Sequence, residues 1–284
     1  MHTYRIGKLD INQPRLLKEL QRIAHFKFTE AYNNYLFGGP WKSCMLWSIG
    51  GETGDGRITN YDYTQPRAKT NYAEQLPYLT ELISQYFNLK YLNFARLAII
   101  TNSVLIPHRD LLELGAVPAH ARNAHRIHVP LITHDNCYFW EENIVYQMRF
   151  GEAWFLDASR AHSAASLSEQ DRVHLMLDFP DVEDASQLIR FKKDDREEIP
   201  PESIQARSAL TEAERRELLA LGNVIDIDNF KDIFSIVIKK HYCKDGGDNF
   251  VWNTMRQIAA SSRNPAVGSK VEEMYRYFMV ERSD

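Results

Sequence analysis

The sequence predicts a mainly β core, an antiparallel sandwich or barrel, with helices before and after it. Three observations carry that expectation. The length of 284 residues fits one large domain, or a core domain with a helical annex, better than two full domains. Between Tyr91 and Phe179, six short runs rich in β-branched and aromatic residues follow one another, with no long helical pattern between them. On either side of that window apolar residues recur at helical spacing.

Near the N-terminus Pro14 opens a helix carried by Leu16, Leu17, Leu20, Ile23 and Ala24. Residues 36–70, rich in glycine turns around Trp41, Met45, Leu46 and Trp47, read as a hairpin or a long irregular loop. Helical spacing returns from Leu76 to Phe87. The strand runs are then Leu92–Ile100, Val104–Asp110, Arg126–Ile132, Val145–Phe150, Glu152–Leu156 and Arg172–Phe179. Charge runs and Pro200-Pro201 make 181–210 a solvated connecting segment. Beyond it Thr211-x-x-Glu214 fits a capping box with Gly222 as a stop, and three further apolar stripes follow, led by Phe230, Trp252 and Val271. This divides the chain into a core with its N-terminal helices (1–180), the connecting segment (181–210) and a C-terminal helical region (211–284). The last fits packing on the core or on a second copy of the chain in a homodimer.

Composition narrows the function. Apolar residues at 44% and charged residues at 25% are those of a folded globular chain. No apolar run approaches a membrane span, and the first residues lack the charged-then-apolar pattern of an export signal. A net charge of −4 argues against nucleic acid as a partner. Three scattered cysteines suit neither a disulfide framework nor a cysteine zinc site, and point to a reducing cytoplasm.

Seven of the ten histidines, however, fall between His108 and His174, which raises the question of a metal. In Ile106-Pro107-His108-Arg109-Asp110, strand periodicity turns His108 and Asp110 to one side, two of the three ligands of a facial iron site. Alone such a pair is a common coincidence. His162, past a turn after Glu152–Leu156, is placed to supply a third ligand. Alternation in the last run puts Arg172 and His174 on one face and Val173, Leu175, Leu177 and Phe179 on the other. Arg126, His128 and Pro130 share a face in the same way. Arginines inside a barrel need anions to offset their desolvation, and a carboxylate matches the planar guanidinium. A ferrous site with three protein ligands keeps three positions, enough for a 2-oxo acid and dioxygen.

The stretches Ala95-Arg96, Ile106–Asp110, Glu113-Leu114, Arg126-x-His128, Gly151-Glu152-x-Trp154-Phe155-Leu156-Asp157-Ala158, His162-Ser163-Ala164 and Arg172-x-His174-Leu175 resemble, in order and spacing, bacterial free-amino-acid hydroxylases. These are the L-proline cis-3- and cis-4-hydroxylases of the aspartyl/asparaginyl β-hydroxylase superfamily. The resemblance implies a double-stranded β-helix, the cupin-like jelly-roll, with flanking helices. It implies iron(II) held by His108, Asp110 and His162, with 2-oxoglutarate and dioxygen as cosubstrates. Arg172 would hold the distal carboxylate of 2-oxoglutarate, and His128 would lie near its chelating end. Arg126, and more weakly Arg96, would take the carboxylate of a free L-amino acid. Trp154 would be a pocket wall or, rather, core, and Glu113 a structural partner. No catalytic residue beyond the metal centre is required. The reaction implied is hydroxylation of an unactivated C–H, coupled to decarboxylation of 2-oxoglutarate to succinate.

Two departures leave the amino acid open. The loop from Gly115 to His125, with His120 and Arg122, is longer than in the proline enzymes, and Ala98 stands where a second basic residue is expected. L-Proline and L-lysine both remain as substrates. A peptidyl hydroxylase of the same superfamily would need an open groove. A zinc hydrolase or a non-catalytic cupin-like binding protein would have no use for Arg172.

Overall fold

The computed structural model describes residues 2–39, 41–110, 117 and 123–280. In chain order the elements are β1 (Tyr4–Lys8), α1 (Gln13–Leu20), β2 (Leu36–Gly38), β3 (Trp41–Ile49), β4 (Arg67–Lys69), α2 (Asn71–Gln75), α3 (Pro77–Tyr86), β5 (Phe94–Ile100) and β6 (Ser103–Leu105). Then come β7 (Asn123–Ile132), β8 (Cys137–Glu141), β9 (Ile144–Tyr146), β10 (Glu152–Leu156), β11 (His162–Ser166) and β12 (Arg172–Pro180). The last part holds β13 (Ser208–Ala209), α4 (Glu212–Ala220), α5 (Phe230–Cys243), β14 (Lys244–Asp245), α6 (Phe250–Ala260) and α7 (Pro265–Tyr275).

The strands form two antiparallel sheets. One runs β1-β10-β7-β12-β5-β3-β4 and the other β2-β6-β11-β8-β9; β13 and β14 make a separate short parallel pair. From β5 to β12 the chain passes from one sheet to the other at every step except the β8–β9 hairpin. Alternation along each strand then builds the core in layers. Ala95, Leu97 and Ile99 of β5, Ile127, Val129 and Leu131 of β7, and Val173, Leu175, Leu177 and Phe179 of β12 pack with Leu16, Leu20, Leu79, Leu82 and Ile83 of α1 and α3. The intervening positions Ala98, Ile100 and Met176 face the space between the sheets, with Phe139, Tyr146, Trp154 and Ala164. On the far side of the second sheet, Val104, Ile106, Trp140 and Ala165 pack against α5, α6 and α7 through Phe234, Val237, Trp252, Met255 and Val271. Within this chain the apolar stripes of α5, α6 and α7 thus share a cluster with the second sheet.

Local chemistry fixes the helices. The Asn12 side chain accepts from the Arg15 amide at the start of α1, and the buried Glu19 carboxylate of α1 accepts from the Tyr78 and Leu79 amides that open α3, at 2.8 and 2.7 Å. The capping box Thr211/Glu214 is formed as the sequence reads.

Several stretches differ from expectation; the expected run Val145–Phe150, for one, is a strand only as Ile144–Tyr146. Residues 41–49 are a full strand of the first sheet, not a hairpin or loop; Cys44, Leu46 and Trp47 pack toward the helices and Trp41 toward the interior, so burial on both faces erases the alternation. The run Val104–Asp110 is a strand only as far as Leu105, after which His108 alone bridges to His162. The segment 181–210 is more than a solvated link: Leu188 is fully buried, and the Ser203 carbonyl and Gln205 amide bond the backbone of Gln147 and Val145. No helix among the described residues is long and apolar enough to cross a membrane.

Candidate metal centre and its arginine pair

His108, Asp110 and His162 meet at one end of the space between the sheets. The backbones of His108 and His162 exchange both hydrogen bonds, at 3.0 and 2.9 Å, and the Asp110 amide donates to the Ala158 carbonyl. Pro107, which has no amide hydrogen to give a ladder, lies where the strand stops. The His108 Nδ1 donates to the Ile106 carbonyl at 2.7 Å and the His162 Nδ1 to the Arg160 carbonyl at 2.9 Å. A carbonyl only accepts, so each Nδ1 carries the proton and each Nε2 offers a lone pair. Those Nε2 atoms face the Asp110 carboxylate at 3.1 and 3.9 Å. One ligand atom from each residue lies within 4.8 Å of the others, the single such group of at least three among the described residues. Two imidazole nitrogens and one carboxylate, with two members buried, fit iron(II) and keep one side of it free.

Behind the trio, β12 and β7 point their polar residues inward as alternation demands. Arg172 is 2% exposed, its guanidinium over the Phe139 ring at 4.6 Å and its Nη2 3.3 Å from Nδ1 of His174. Its Nε has no partner, and no described carboxylate pairs with it. Burial lowers its pKa from 12.5 to about 10, so it remains a cation at neutral pH. Both ring nitrogens of buried His128 lack partners, and burial together with Arg126 and Arg172 holds its pKa well below 6.5. A buried cation without a counter-ion beside a neutral histidine with open valences is a site built for a polar ligand. Arg172, His128, Arg126 and the metal trio line one narrow cavity of about 30 Å³.

Arg126 bridges two acids: its Nε donates to Asp178 Oδ1 at 2.7 Å and its Nη1 contacts Asp110. Arg96 reaches the same Asp178 from β5, Nη2 to Oδ2 at 3.2 Å. Trp154 is elsewhere. It is fully buried against Tyr146 with Nε1 bonded to Glu152 at 2.9 Å, and it does not line the cavity, so here it is core rather than pocket wall. Glu113, His120 and Arg122 lie outside the described residues. Of the remaining histidines, His125 faces Asp181 and His134 the Gln170 carbonyl, away from the centre, whereas His174 joins the interior through Arg172. Two contributors escaped the sequence reading. Phe139 sits on a strand the sequence did not reveal. Asp178 continues the Arg172, His174, Met176 face of β12, so simple alternation already placed it inside.

Residues 11–181 match the family model for aspartyl/asparaginyl beta-hydroxylase, and residues 185–284 the model for the C-terminal part of L-proline 3-hydroxylase. The chain is 28% identical over 283 residues to an L-proline cis-4-hydroxylase of Rhizobium meliloti (strain 1021), covering 99% of this chain and 97% of that protein. It is 30% identical over 289 residues to L-proline cis-3-hydroxylase 2 of Streptomyces sp, covering 99% and 96%. Among solved structures, a prolyl hydroxylase from Trichoplax adhaerens is a remote likeness, at TM-score 0.40 and 15% identity over 63% of this chain and 83% of that one. The chain belongs to the aspartyl/asparaginyl β-hydroxylase family, and it is a dioxygenase that works with iron(II) and 2-oxoglutarate.

Proposed function

We propose that this protein hydroxylates an unactivated C–H of a free L-amino acid, L-proline before L-lysine, and that its two sheets form a double-stranded β-helix. The fold reading is supported by the order β10-β7-β12-β5 facing β6-β11-β8-β9, the winding of a jelly-roll from eight consecutive strands. The observation that carries the activity is two arginines turned into one narrow cavity beside the His108, Asp110 and His162 trio.

In this reading the trio holds the metal, which when bound with 2-oxoglutarate and dioxygen supplies the oxidising power for C–H hydroxylation. The chain's own residues do the rest. Arg172, buried and without a counter-ion, takes the distal carboxylate of 2-oxoglutarate, and neutral His128 offers a hydrogen bond near its metal-chelating end. Arg126 takes the amino acid's carboxylate, with Arg96 behind it. The aromatic and aliphatic lining, Trp41, Leu105, Phe139, Leu156 and Met176, keeps water out. No group is needed to abstract a proton. Positioning is the main task, since a misplacement of about 1 Å costs roughly a hundredfold in rate. Apart from Asp110, no described carboxylate lines the cavity, which favours proline over a substrate with a second ammonium. The L-proline hydroxylases among the relatives point the same way.

The test is succinate release dependent on iron(II), with mass spectrometry of products, across proline, lysine, pipecolate and proline-containing peptides. Coupled succinate and hydroxyproline are expected. Turnover of peptides alone, or none of any amino acid, would overturn the assignment.

A further inference from the structure

Arg126 can serve as a carboxylate receptor only if it is aimed. An arginine has a long, freely rotating stem, and a guanidinium recognises a carboxylate well only when its plane is held. Asp178 is fully buried on β12, and its two oxygens divide between the two arginines: Oδ1 accepts from Arg126 Nε at 2.7 Å and Oδ2 from Arg96 Nη2 at 3.2 Å. Held at Nε, the Arg126 plane presents its far edge to the cavity, where Nη1 reaches the carboxylate of Asp110. Buried Arg96 and largely buried Arg126 thus share one buried carboxylate, and Arg126 reaches the cavity with its plane held at Nε and its Nη1 edge at Asp110, where an incoming carboxylate would meet it.

We propose that Asp178 is a positioning residue that clamps Arg126 against Arg96 and so fixes where the substrate carboxylate, and with it the carbon to be hydroxylated, comes to rest. This rests on the amino-acid hydroxylase reading above. It also makes regiochemistry a property of a buried acid that touches neither substrate nor metal.

The experiment compares wild type with Asp178→Asn, which keeps the shape and removes the charge that holds Nε. Three quantities are measured with the amino acid that wild type hydroxylates. The KM for the amino acid should rise about tenfold while that for 2-oxoglutarate stays within about twofold. The ratio of succinate to hydroxylated product should rise, because a misaimed substrate is oxidised less often per decarboxylation. Calorimetric titration of the nickel-loaded, 2-oxoglutarate-bound protein with the amino acid should show the same tenfold loss without any turnover. Tighter amino-acid binding would mean that Asp178 only dilutes positive charge, and would overturn the proposal. A parallel rise in both KM values with a lower melting temperature would mean a merely structural acid, and would overturn it too. Should Asp178→Asn not fold, Arg126→Lys carries the same comparison, keeping the charge but lacking the Nε donor, and wild-type values there refute the clamp. Wild type inert toward every amino acid would instead sink the hydroxylase reading itself.

Discussion

His241 is enclosed between the rings of Trp140 and Phe250, and neither of its ring nitrogens has a partner among the described residues. Burial, with help from the Arg207 cation, lowers its pKa from 6.5 to about 3 against the pull of Asp245. The folded form therefore keeps His241 neutral while the unfolded chain protonates it below pH 6.5. Its contribution to stability is full above that pH and is lost as pH falls from 6.5 toward 3. Between pH 7 and pH 5 His241 should account for roughly 2 kcal/mol of the stability lost on chemical denaturation; His241→Phe should remove that share and leave the part that the buried His128 and His174 contribute. Arg172 presents the opposite case, a charge kept in spite of burial. Arg172→Ala should raise the KM for 2-oxoglutarate by roughly one to two orders of magnitude. Arg172→Lys should fall between, because an ammonium cannot bond a carboxylate in bidentate fashion. Initial rates against 2-oxoglutarate concentration check both.

Between elements, the helical region is fastened to the barrel by polar contacts as well as packing. Arg207 donates to the carbonyls of His241, Lys244 and Asn143, which ties α5 to the β8–β9 hairpin. The Tyr242 hydroxyl donates to Ser163 Oγ, which itself donates to the Leu105 carbonyl, so α5 also braces the strands that carry His162 and lead to His108. Arg207→Ala should cost roughly 2 kcal/mol in a urea titration, since three acceptors lose a charged donor at once. These elements also show what the sequence could disclose. The strands β7 and β12 were legible because helices cover one of their faces and the polar cavity residues break the other, which leaves clean alternation. In β3 both faces are apolar, and β11, Ser163 to Ser166 among small residues, has little β-branched or aromatic signature. The three candidate ligands stood out as a His-x-Asp pair and a histidine after a strand and turn, and the fold brings them together although the strand stops at Leu105, short of the pair. The Arg96–Asp178–Arg126 chain was not legible, because it joins three strands far apart in sequence.

At the scale of the whole molecule, the trio draws together the end of β6 and the start of β11, and a metal bound there binds the folded chain only. At a free metal concentration about a hundredfold above its Kd, stability should rise by roughly 2.7 kcal/mol. Asp110→Ala should keep its fold and lose both turnover and that gain, since it removes a half-buried ligand and no core. Melting curves with and without nickel test this directly, and an unchanged shift in Asp110→Ala would refute the ligand assignment. The alternate winding of the sheets also bears on how the protein is made. β5 lies between β3, already synthesised, and β12, which leaves the ribosome only after every strand in between. Arg96 must therefore wait, a cation without its acid, until Asp178 has emerged. A nascent chain stalled before that point would expose an unfinished sheet edge to chaperones, which makes the stretch just downstream of β12 the natural place to look for the onset of protection from protease during translation.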